Sequence, residues 1–328
     1  MKEPLLFVDL DAAADPALLD AARDSVAAAE RILVGVRTRE PMDSEWHDLL
    51  AALDLTLSPE STGPSAQARS CVQVCDPVAE ASRLEAVTTA NPQATLVLAQ
   101  VLRAGQSLDV RAALDLESFA YSTLLGGEEF RRWLAARGAR SLPPPVEVPP
   151  VLLERIGEQL RITLNRPERR NAYGRELRDA FVDGLRVAAL DPTVVQVTIA
   201  GAGKVFSAGG DLDEFGAAPD AVTGHFVRTR GGAGELLHRL STRTEARLHG
   251  ACVGAGIELP AFAGRVVACP DTAFRLPEIA MGLIPGAGGT VSIPRRIGRW
   301  RTLHLALSGD WLDAATAVRW GLVDEIMV

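Results

Sequence analysis

The sequence predicts an α/β fold in which the larger part of the chain is built around a parallel sheet. Residues 159–164 alternate apolar and polar side chains, as a half-buried strand does, and residues 175–190 place their apolar side chains on one helical face. Residues 194–200 are a continuous, mostly β-branched run, which is typical of a strand buried on both faces. Strand, helix and strand in this order, followed by a glycine-rich turn, predict a βαβ unit with parallel strands.

A proline-rich stretch divides the chain into two unequal parts. Residues 142–150 read Leu-Pro-Pro-Pro-Val-Glu-Val-Pro-Pro. Clustered prolines favour an extended backbone and do not fit helix interiors or central strands. We therefore predict a linker over 142–150 that joins an N-terminal region, residues 1–141, to a core, residues 151–328.

The sequence of the N-terminal region predicts a short α/β part, which is followed by helices rich in alanine, leucine and paired charges. The predicted elements are strands over 5–10, 32–36 and 72–74 and helices over 16–31, 78–103 and 110–137. The first helix has Asp15 as its N-cap and Pro16 at its first position, where proline is tolerated. No glycine-rich turn or group of reactive side chains stands out here, so we assign no chemistry to residues 1–150.

Composition excludes several classes of partner. The net charge of −8 is spread along the chain, which disfavours nucleic acid and anionic membranes as partners. The N-terminus lacks the basic-then-apolar order of a secretory signal, and no apolar run is long enough to span a bilayer. The four cysteines form no CxxC pair, and neither they nor the dispersed histidines show metal-ligand spacing. We therefore expect a cytoplasmic protein with reduced thiols and no metal.

Three segments of the core carry the candidate chemistry. The first, 201–212, is a turn of small residues directly after the buried strand, where backbone N–H groups can approach a ligand; a tight structural turn is an equal interpretation. The second, 249–259, is a glycine-rich turn that opens a helix, and two N–H groups from such turns could hold a carbonyl oxygen that becomes an oxyanion.

Two glutamates accompany these turns. Glu258 lies in apolar surroundings, where a carboxylate is costly unless it is paired; a core salt bridge with Arg265 is the structural alternative to a catalytic role. Glu278 lies in the third segment, 274–290, and would by itself be read as a solvated turn residue. Together the two carboxylates suit general acid/base chemistry.

The chain from 164–172 through these three segments to Gly-Leu-Val-Asp at 321–324 resembles the enoyl-CoA hydratase/isomerase (crotonase) superfamily. The resemblance implies a crotonase-like ββα-spiral core and assembly as trimers or dimers of trimers (hexamers). It also implies an acyl-CoA thioester substrate, with coenzyme A as part of that substrate and no separate cofactor.

The resemblance also implies roles for individual residues. Gly210 and Ala255 match the positions whose N–H groups form the oxyanion hole, and Glu258 and Glu278 match the two glutamates of true hydratases. In that mechanism both carboxylates hold the water that adds to Cβ, and Glu278 exchanges the proton at Cα. Four further positions fall where relatives line the coenzyme A channel: Arg170, Ala172, Ala208 and Asp211.

The end of the core departs from the family pattern. Relatives continue with helices beyond the Gly-Leu-Val-Asp element, whereas residues 91–134, before the linker, resemble that tail. This order suggests a permuted layout or a shrunken first copy of the fold; an unrelated helical appendage is the alternative. We expect residues 78–137 to pack over the surface that the usual tail covers. The arginine cluster at 295, 296, 299 and 301 predicts a solvated helix face rather than a phosphate site.

The leading functional hypothesis is reversible hydration of a 2-enoyl-CoA or dehydration of a 3-hydroxyacyl-CoA. Double-bond isomerisation, which needs only one carboxylate, is the alternative within the same class. A cofactor-independent oxygenase and a non-catalytic oligomeric scaffold are more remote. The scaffold is disfavoured because packing does not require both glutamates together with both glycine turns. The acyl pocket is expected to draw side chains from the variable segment 215–234, so the sequence does not name the acyl chain.

Overall fold

The structure is a computed structural model that describes residues 3–12, 29–39, 46–60, 68–141 and 147–327. The helix predicted over 16–31 falls almost entirely outside these residues, as does the first half of the linker. None of the helices within the described ranges is long and apolar enough to cross a membrane.

The N-terminal region begins with a small parallel sheet. Its strands lie side by side in chain order: β1 Leu5–Asp9, β2 Ile32–Val36, β3 Leu55–Pro59 and β4 Cys71–Val74. The three predicted strands are confirmed. We did not predict β3 or the six-residue helix before it, α1 His47–Ala52, because both are too short to show a clear period and β3 is also almost entirely buried.

Four helices follow the small sheet where two were predicted. They are α2 Pro77–Thr89, α3 Pro92–Gly105, α4 Val110–Leu125 and α5 Glu128–Arg137. The prediction of one helix over 78–103 is wrong because Pro92 cannot lie in a helix interior and instead takes the first position of α3. The helix predicted over 110–137 is likewise divided, at Gly126 and Gly127, which end α4 and cap α5.

The core is built on a six-stranded sheet in the order β13-β10-β8-β7-β6-β5. Its strands are β5 Val151–Ile156, β6 Gln159–Leu164, β7 Gln196–Gly201, β8 Thr244–Leu248, β10 Arg265–Ala268 and β13 Glu325–Ile326. β5 is antiparallel to β6, and the other pairs are parallel. The predicted strand β6 and helix α6 Arg175–Leu190 have the expected bounds, and the predicted strand over 194–200 begins two residues later, at β7.

A second, three-stranded sheet positions the candidate site. It contains β9 Ala251–Val253, β11 Ala273–Arg275 and β12 Leu312–Asp313, in the order β12-β11-β9. The remaining helices of the core are α7 Ala221–Arg230, α8 Gly234–Arg239, α9 Ala255–Glu258, α10 Gly289–Ser308 and α11 Ala314–Trp320. The second and third candidate segments contain β9 and β11 of this sheet, whereas the first segment follows β7 of the larger sheet.

The N-terminal helices share one apolar interior with the core. Leu98 of α3 and Val110 of α4 belong to the same buried cluster as Val291 and Ile293 of α10. Helices α3 and α4 both pack against α10, and α4 also packs against α7. Residues 77–137 therefore form part of the core rather than a separate unit.

Helix α10 also fastens the small N-terminal sheet to the core. Gly298 has a left-handed φ of 82° and interrupts the helix, so that the next residue turns toward the small sheet. Arg299 Nη1 donates to Asp54 Oδ1 at 3.0 Å, and Arg103 Nε donates to the same oxygen at 2.7 Å. The second oxygen of Asp54 accepts the N–H of Leu33 in β2 at 2.9 Å.

Two of the four arginines in the predicted cluster are buried, whereas Arg295 is exposed as predicted. Arg299 and Arg301 are 7% and 5% exposed, so the prediction of a solvated helix face is wrong for both. The guanidinium of Arg299 also donates to the carbonyls of Ala51, Ala52 and Leu53, which the end of α1 leaves open. Arg299 thus forms a structural clamp between α10 and the small sheet.

Candidate active site

A cavity of about 450 Å³ lies where α4 and α7 face the glycine-rich turns of the core. Five of the predicted site residues line it: Gly210, Asp211, Ala255, Glu258 and Glu278. Helix α4 of the N-terminal region supplies another part of the wall: Leu114, Glu117, Ser118, Tyr121 and Leu125. The cavity is therefore completed by both halves of the chain.

Glu258 is held in the wall of this cavity by backbone groups. It ends the one-turn helix α9 and is 2% exposed. Its Oε2 atom accepts the N–H groups of Ala287 at 2.8 Å and Gly289 at 3.0 Å. The alternative salt bridge with Arg265 is wrong, because Arg265 pairs with Glu245 and Glu325 on the sheet.

Glu278 approaches the same point from the other side. It opens a 3-10 turn, Glu278–Met281, and its Oε2 atom is buried without a hydrogen-bond partner among the described residues. A Cβ atom built on Gly254 would lie 2.5 Å from Glu278 Oε1 and 3.5 Å from Glu258 Oε1. The two carboxylates therefore converge beside Gly254, with one oxygen of each within 3.5 Å of the same point.

Gly254 can occupy this position only because it is glycine. Its φ of 49° lies in the left-handed region, and a side chain would collide with Glu278. The turn at Gly254 thus serves two purposes, since it starts α9 and leaves room for the carboxylates to approach each other.

Glu117 is a third buried carboxylate in the cavity, and the sequence reading missed it. It is 2% exposed and accepts the N–H of Gly288 at 2.7 Å, together with the N–H and hydroxyl of Thr290 at 2.8 and 2.7 Å. Our prediction that residues 1–150 take no part in the site is therefore wrong, because Glu117 contributes to the shape and the charge of the cavity. The available signal was a charged residue at a core position of α4, four residues after the buried Ala113 and seven after Val110.

Burial raises the pKa values of all three carboxyl groups. Burial raises the pKa of Glu258 well above its ordinary value, and the charges of Glu278 and Glu117 raise it further, against the lowering effect of its backbone hydrogen bonds. Burial raises the pKa of Glu278 to about 8 and that of Glu117 to about 7. At neutral pH the three carboxyl groups together therefore retain protons, so that one of them can act as an acid while another acts as a base.

Two backbone N–H groups face the cavity without a protein acceptor. The turn 207–210 runs beside β9, since Val253 N donates to Ser207 O at 3.1 Å. Gly209 has a φ of 89°, and a Cβ there would lie 2.6 Å from Val253 O, so this close approach requires glycine. Within the described ranges, the N–H groups of Gly210 and Ala255 donate to no protein atom, although both residues line the cavity.

The four residues predicted to line the coenzyme A channel lie at different places. The Asp211 carboxylate reaches the cavity wall but is bound by Arg169, with the shortest contact at 2.7 Å. Arg170, Ala172 and Ala208 do not line the cavity. They belong to the adjoining turns, where Ala208 N donates to Arg170 O at 2.9 Å. In the described part of the chain, no group of His, Cys, Asp and Glu side chains is arranged to hold a metal.

Comparisons with known proteins agree with this geometry. Residues 157–328 match the family model described as enoyl-CoA hydratase/isomerase. The chain is 35% identical over 179 residues to the 2,3-dehydroadipyl-CoA hydratase of Escherichia coli K12, a match that covers 54% of this chain and 68% of that protein. It is 34% identical over 179 residues, with the same coverage, to a Mycobacterium tuberculosis protein named as a probable enoyl-CoA hydratase.

A solved structure supports the same relationship. The crystal structure of enoyl-CoA hydratase from Thermoplasma volcanium matches with a TM-score of 0.50 and 33% identity, covering 55% of this chain and 73% of that chain. The predicted crotonase-like core is therefore confirmed, and the protein is an enzyme of the hydratase type. The chain belongs to the enoyl-CoA hydratase/isomerase family.

Proposed function

We propose that the protein catalyses the reversible hydration of a 2-enoyl-CoA thioester, with Glu258 and Glu278 sharing the proton transfers. The observation that carries this proposal is the convergence of the two carboxylates beside Gly254 in a cavity lined by two unoccupied N–H groups. A single carboxylate would serve isomerisation, whereas adding water requires a base for the water and an acid for Cα.

The N–H groups of Gly210 and Ala255 form the oxyanion hole in this proposal. When water adds to Cβ of the conjugated thioester, electrons move to the carbonyl oxygen and produce an enolate. Two fixed N–H donors stabilise that negative charge more than they stabilise the neutral carbonyl, and they do not need to reorient during the reaction. Their lack of a protein acceptor is consistent with this role.

The carboxylates complete the addition. The ionised group accepts a proton from the water as its oxygen bonds to Cβ, and the protonated group delivers a proton to Cα as the enolate collapses to the thioester. We assign the Cα proton to Glu278, whose buried Oε2 atom has no protein partner among the described residues and is therefore free to carry a proton. Glu258 then positions and deprotonates the water, with its Oε2 fixed by the N–H groups of Ala287 and Gly289.

The coenzyme A part of the substrate would extend from the oxyanion hole along the turns that contain Arg170, Ala172, Ala208 and Asp211. Asp211 would act through the turn that it stabilises, because Arg169 already binds its carboxylate. No cofactor besides the coenzyme A of the substrate enters this mechanism.

A panel of trans-2-enoyl-CoA thioesters tests the proposal. Hydration removes the conjugated double bond, so we expect the absorbance of the enoyl thioester to fall and a 3-hydroxyacyl-CoA to form. A 3-enoyl-CoA serves as the second substrate, because conversion to the conjugated 2-enoyl isomer would increase the same absorbance. Turnover of the 3-enoyl thioester alone would assign the protein as an isomerase, and binding without turnover of either would assign it as a non-catalytic member of the family.

We further propose that the protein is cytoplasmic and assembles as a trimer or a dimer of trimers. The four cysteines are unpaired, as is usual in a reducing compartment. The oligomer is expected from the family, so it is an argument by analogy. Light scattering at micromolar concentration should give a multiple of three chains, and a monomer would contradict the proposed assembly.

A further inference from the structure

Arg228 of α7 places a guanidinium group in the wall of the cavity. Its Nε donates to Ser118 Oγ at 3.0 Å, and its Nη2 donates to Ser118 O at 3.3 Å and to Ser122 Oγ. The guanidinium carbon lies 4.7 Å from the centre of the Tyr121 ring, which it covers. The group is thereby fixed in one orientation by three residues of α4.

This cation has no anionic partner in the described part of the chain. Its hydrogen bonds in that part of the chain go to Ser118 and Ser122 and to no carboxylate, and Nη1 donates to no protein atom there. The oxygens of Glu117, on the same helix as Ser118, are already occupied by Gly288 and Thr290. Burial lowers the pKa of Arg228, and the more distant charge of Glu117, which makes no ion pair with it, opposes this effect only in part.

The position of Arg228 relative to the carboxylates follows from Tyr121. One face of the Tyr121 ring contacts Arg228, and the ring also packs against Gly286, since a Cβ on Gly286 would lie 2.4 Å from Tyr121 Cδ2. Gly286 directly precedes Ala287, whose N–H binds Glu258. Tyr121 therefore lies between Arg228 and the loop that holds Glu258, and Arg228 belongs to the segment expected to contact the acyl group.

We propose that Arg228 binds a carboxylate at the far end of the acyl group, so that the preferred substrate is the coenzyme A thioester of a short dicarboxylic acid. A planar guanidinium with a free Nη1 suits a carboxylate because the two can form short charge-assisted hydrogen bonds. An uncharged acyl tail would cover the same cation without supplying its missing partner, which is unfavourable. The inference rests on the proposed function and specifies its substrate class.

Kinetic selectivity tests this inference. The wild-type enzyme is compared on two trans-2-enoyl-CoA thioesters of equal chain length, one with and one without a terminal carboxylate, over a series of short lengths. At the best length we expect kcat/KM to favour the carboxylated substrate by about 10- to 100-fold, the factor expected for a hydrogen bond to a charged group. Arg228→Met should abolish this preference while retaining turnover of the uncharged substrate.

Ser122→Ala is the matched control, because it removes one hydrogen bond of Arg228 and leaves the charge in place. It should keep most of the selectivity, and thermal unfolding of both variants reports any loss of folding. The inference would be overturned if the wild-type enzyme had equal kcat/KM on the two substrates, or if Arg228→Met lowered kcat/KM equally on both. Arg228 would then be only a structural link between α4 and α7.

Equilibrium binding separates this inference from the proposed function. Saturated acyl-CoA esters with and without the terminal carboxylate, which cannot be hydrated, should show the same preference and lose it in Arg228→Met. This result would support the dicarboxylate site even if neither enoyl thioester were hydrated. Weaker binding of free coenzyme A to Arg228→Met would instead assign the guanidinium to a phosphate of the coenzyme and contradict the inference.

Discussion

Glu117 in the N-terminal region binds both the backbone N–H and the hydroxyl of Thr290, in the first turn of α10. It also binds the N–H of Gly288, one residue away from the N–H of Ala287 that holds Glu258. The loop that positions one proposed catalytic carboxylate is therefore itself positioned by a carboxylate from before the linker. This relationship explains why the two parts of the chain have one interior and one site.

We expect Glu117→Gln to affect both stability and pH dependence. The amide nitrogen cannot accept a hydrogen bond, so at least one buried donor loses its partner, at a cost of about 1–3 kcal/mol in the free energy of unfolding. The charge of Glu117 contributes to the raised pKa values of Glu258 and Glu278. Its removal should therefore lower those pKa values and move the alkaline limb of the kcat/KM profile to lower pH.

The exposed Glu128→Gln is the control for this experiment, because its side chain is 72% exposed in a surface pair with Arg131. It should leave the pH profile unchanged. If the alkaline limb stays in place in Glu117→Gln while stability falls, Glu117 is only a structural residue.

Asp54→Ala should detach the small N-terminal sheet from α10. The substitution leaves the guanidinium groups of Arg103 and Arg299 without their shared carboxylate and Leu33 N–H without its acceptor. Removing one partner of a buried ion pair costs about 3–5 kcal/mol. Urea unfolding should report a loss of this size, whereas Glu128→Ala at the surface should change the free energy of unfolding by less than about 1 kcal/mol. Similar values for the two variants would contradict the clamp.

Gly254→Ala should disable the site through a single methyl group. The new Cβ would lie 2.5 Å from Glu278 Oε1 and would displace that carboxylate. A displacement of about 1 Å can reduce the rate about 100-fold. Gly157→Ala is a matched control, because Gly157 also has a left-handed φ, of 59°, but its Cβ would meet no atom within 4 Å. Both variants carry the backbone strain, so equal hydration rates would show that the contact with Glu278 is unimportant.

The raised pKa of Glu278 also predicts how stability depends on pH. Its carboxyl group keeps its proton in the folded state up to pH about 8, whereas the unfolded chain releases it near the ordinary value of 4.5. The folded state therefore binds more protons between these values, so its free energy of unfolding falls as pH rises. Glu278→Gln removes this term. The stability of the variant relative to wild type should increase from pH 5 to pH 8.5 in urea unfolding, and a constant difference would contradict the assigned pKa.

The regular parts of the core could be predicted because their periods are local. The alternation in β6 and the apolar face of α6 gave the bounds of both elements, whereas Gly210 and Ala255 were singled out by the family resemblance. Glu117 and Arg228 could not be placed in this way, because their approach to Glu258 depends on how α4 and α7 pack across the linker. Arg299 was misread for the same reason, since its partners lie about 250 residues earlier in the chain.

The hydration rates of Glu278→Gln and Glu258→Gln test the central claim most directly. Each substitution removes one acid/base group but keeps the size of the side chain, and losing such a group typically reduces the rate by about 10²–10⁴-fold. With the best 2-enoyl-CoA of the panel, we predict a loss of that size in both variants and nearly unchanged binding of the saturated acyl-CoA ester. Normal hydration by both variants would contradict the shared role of the two carboxylates.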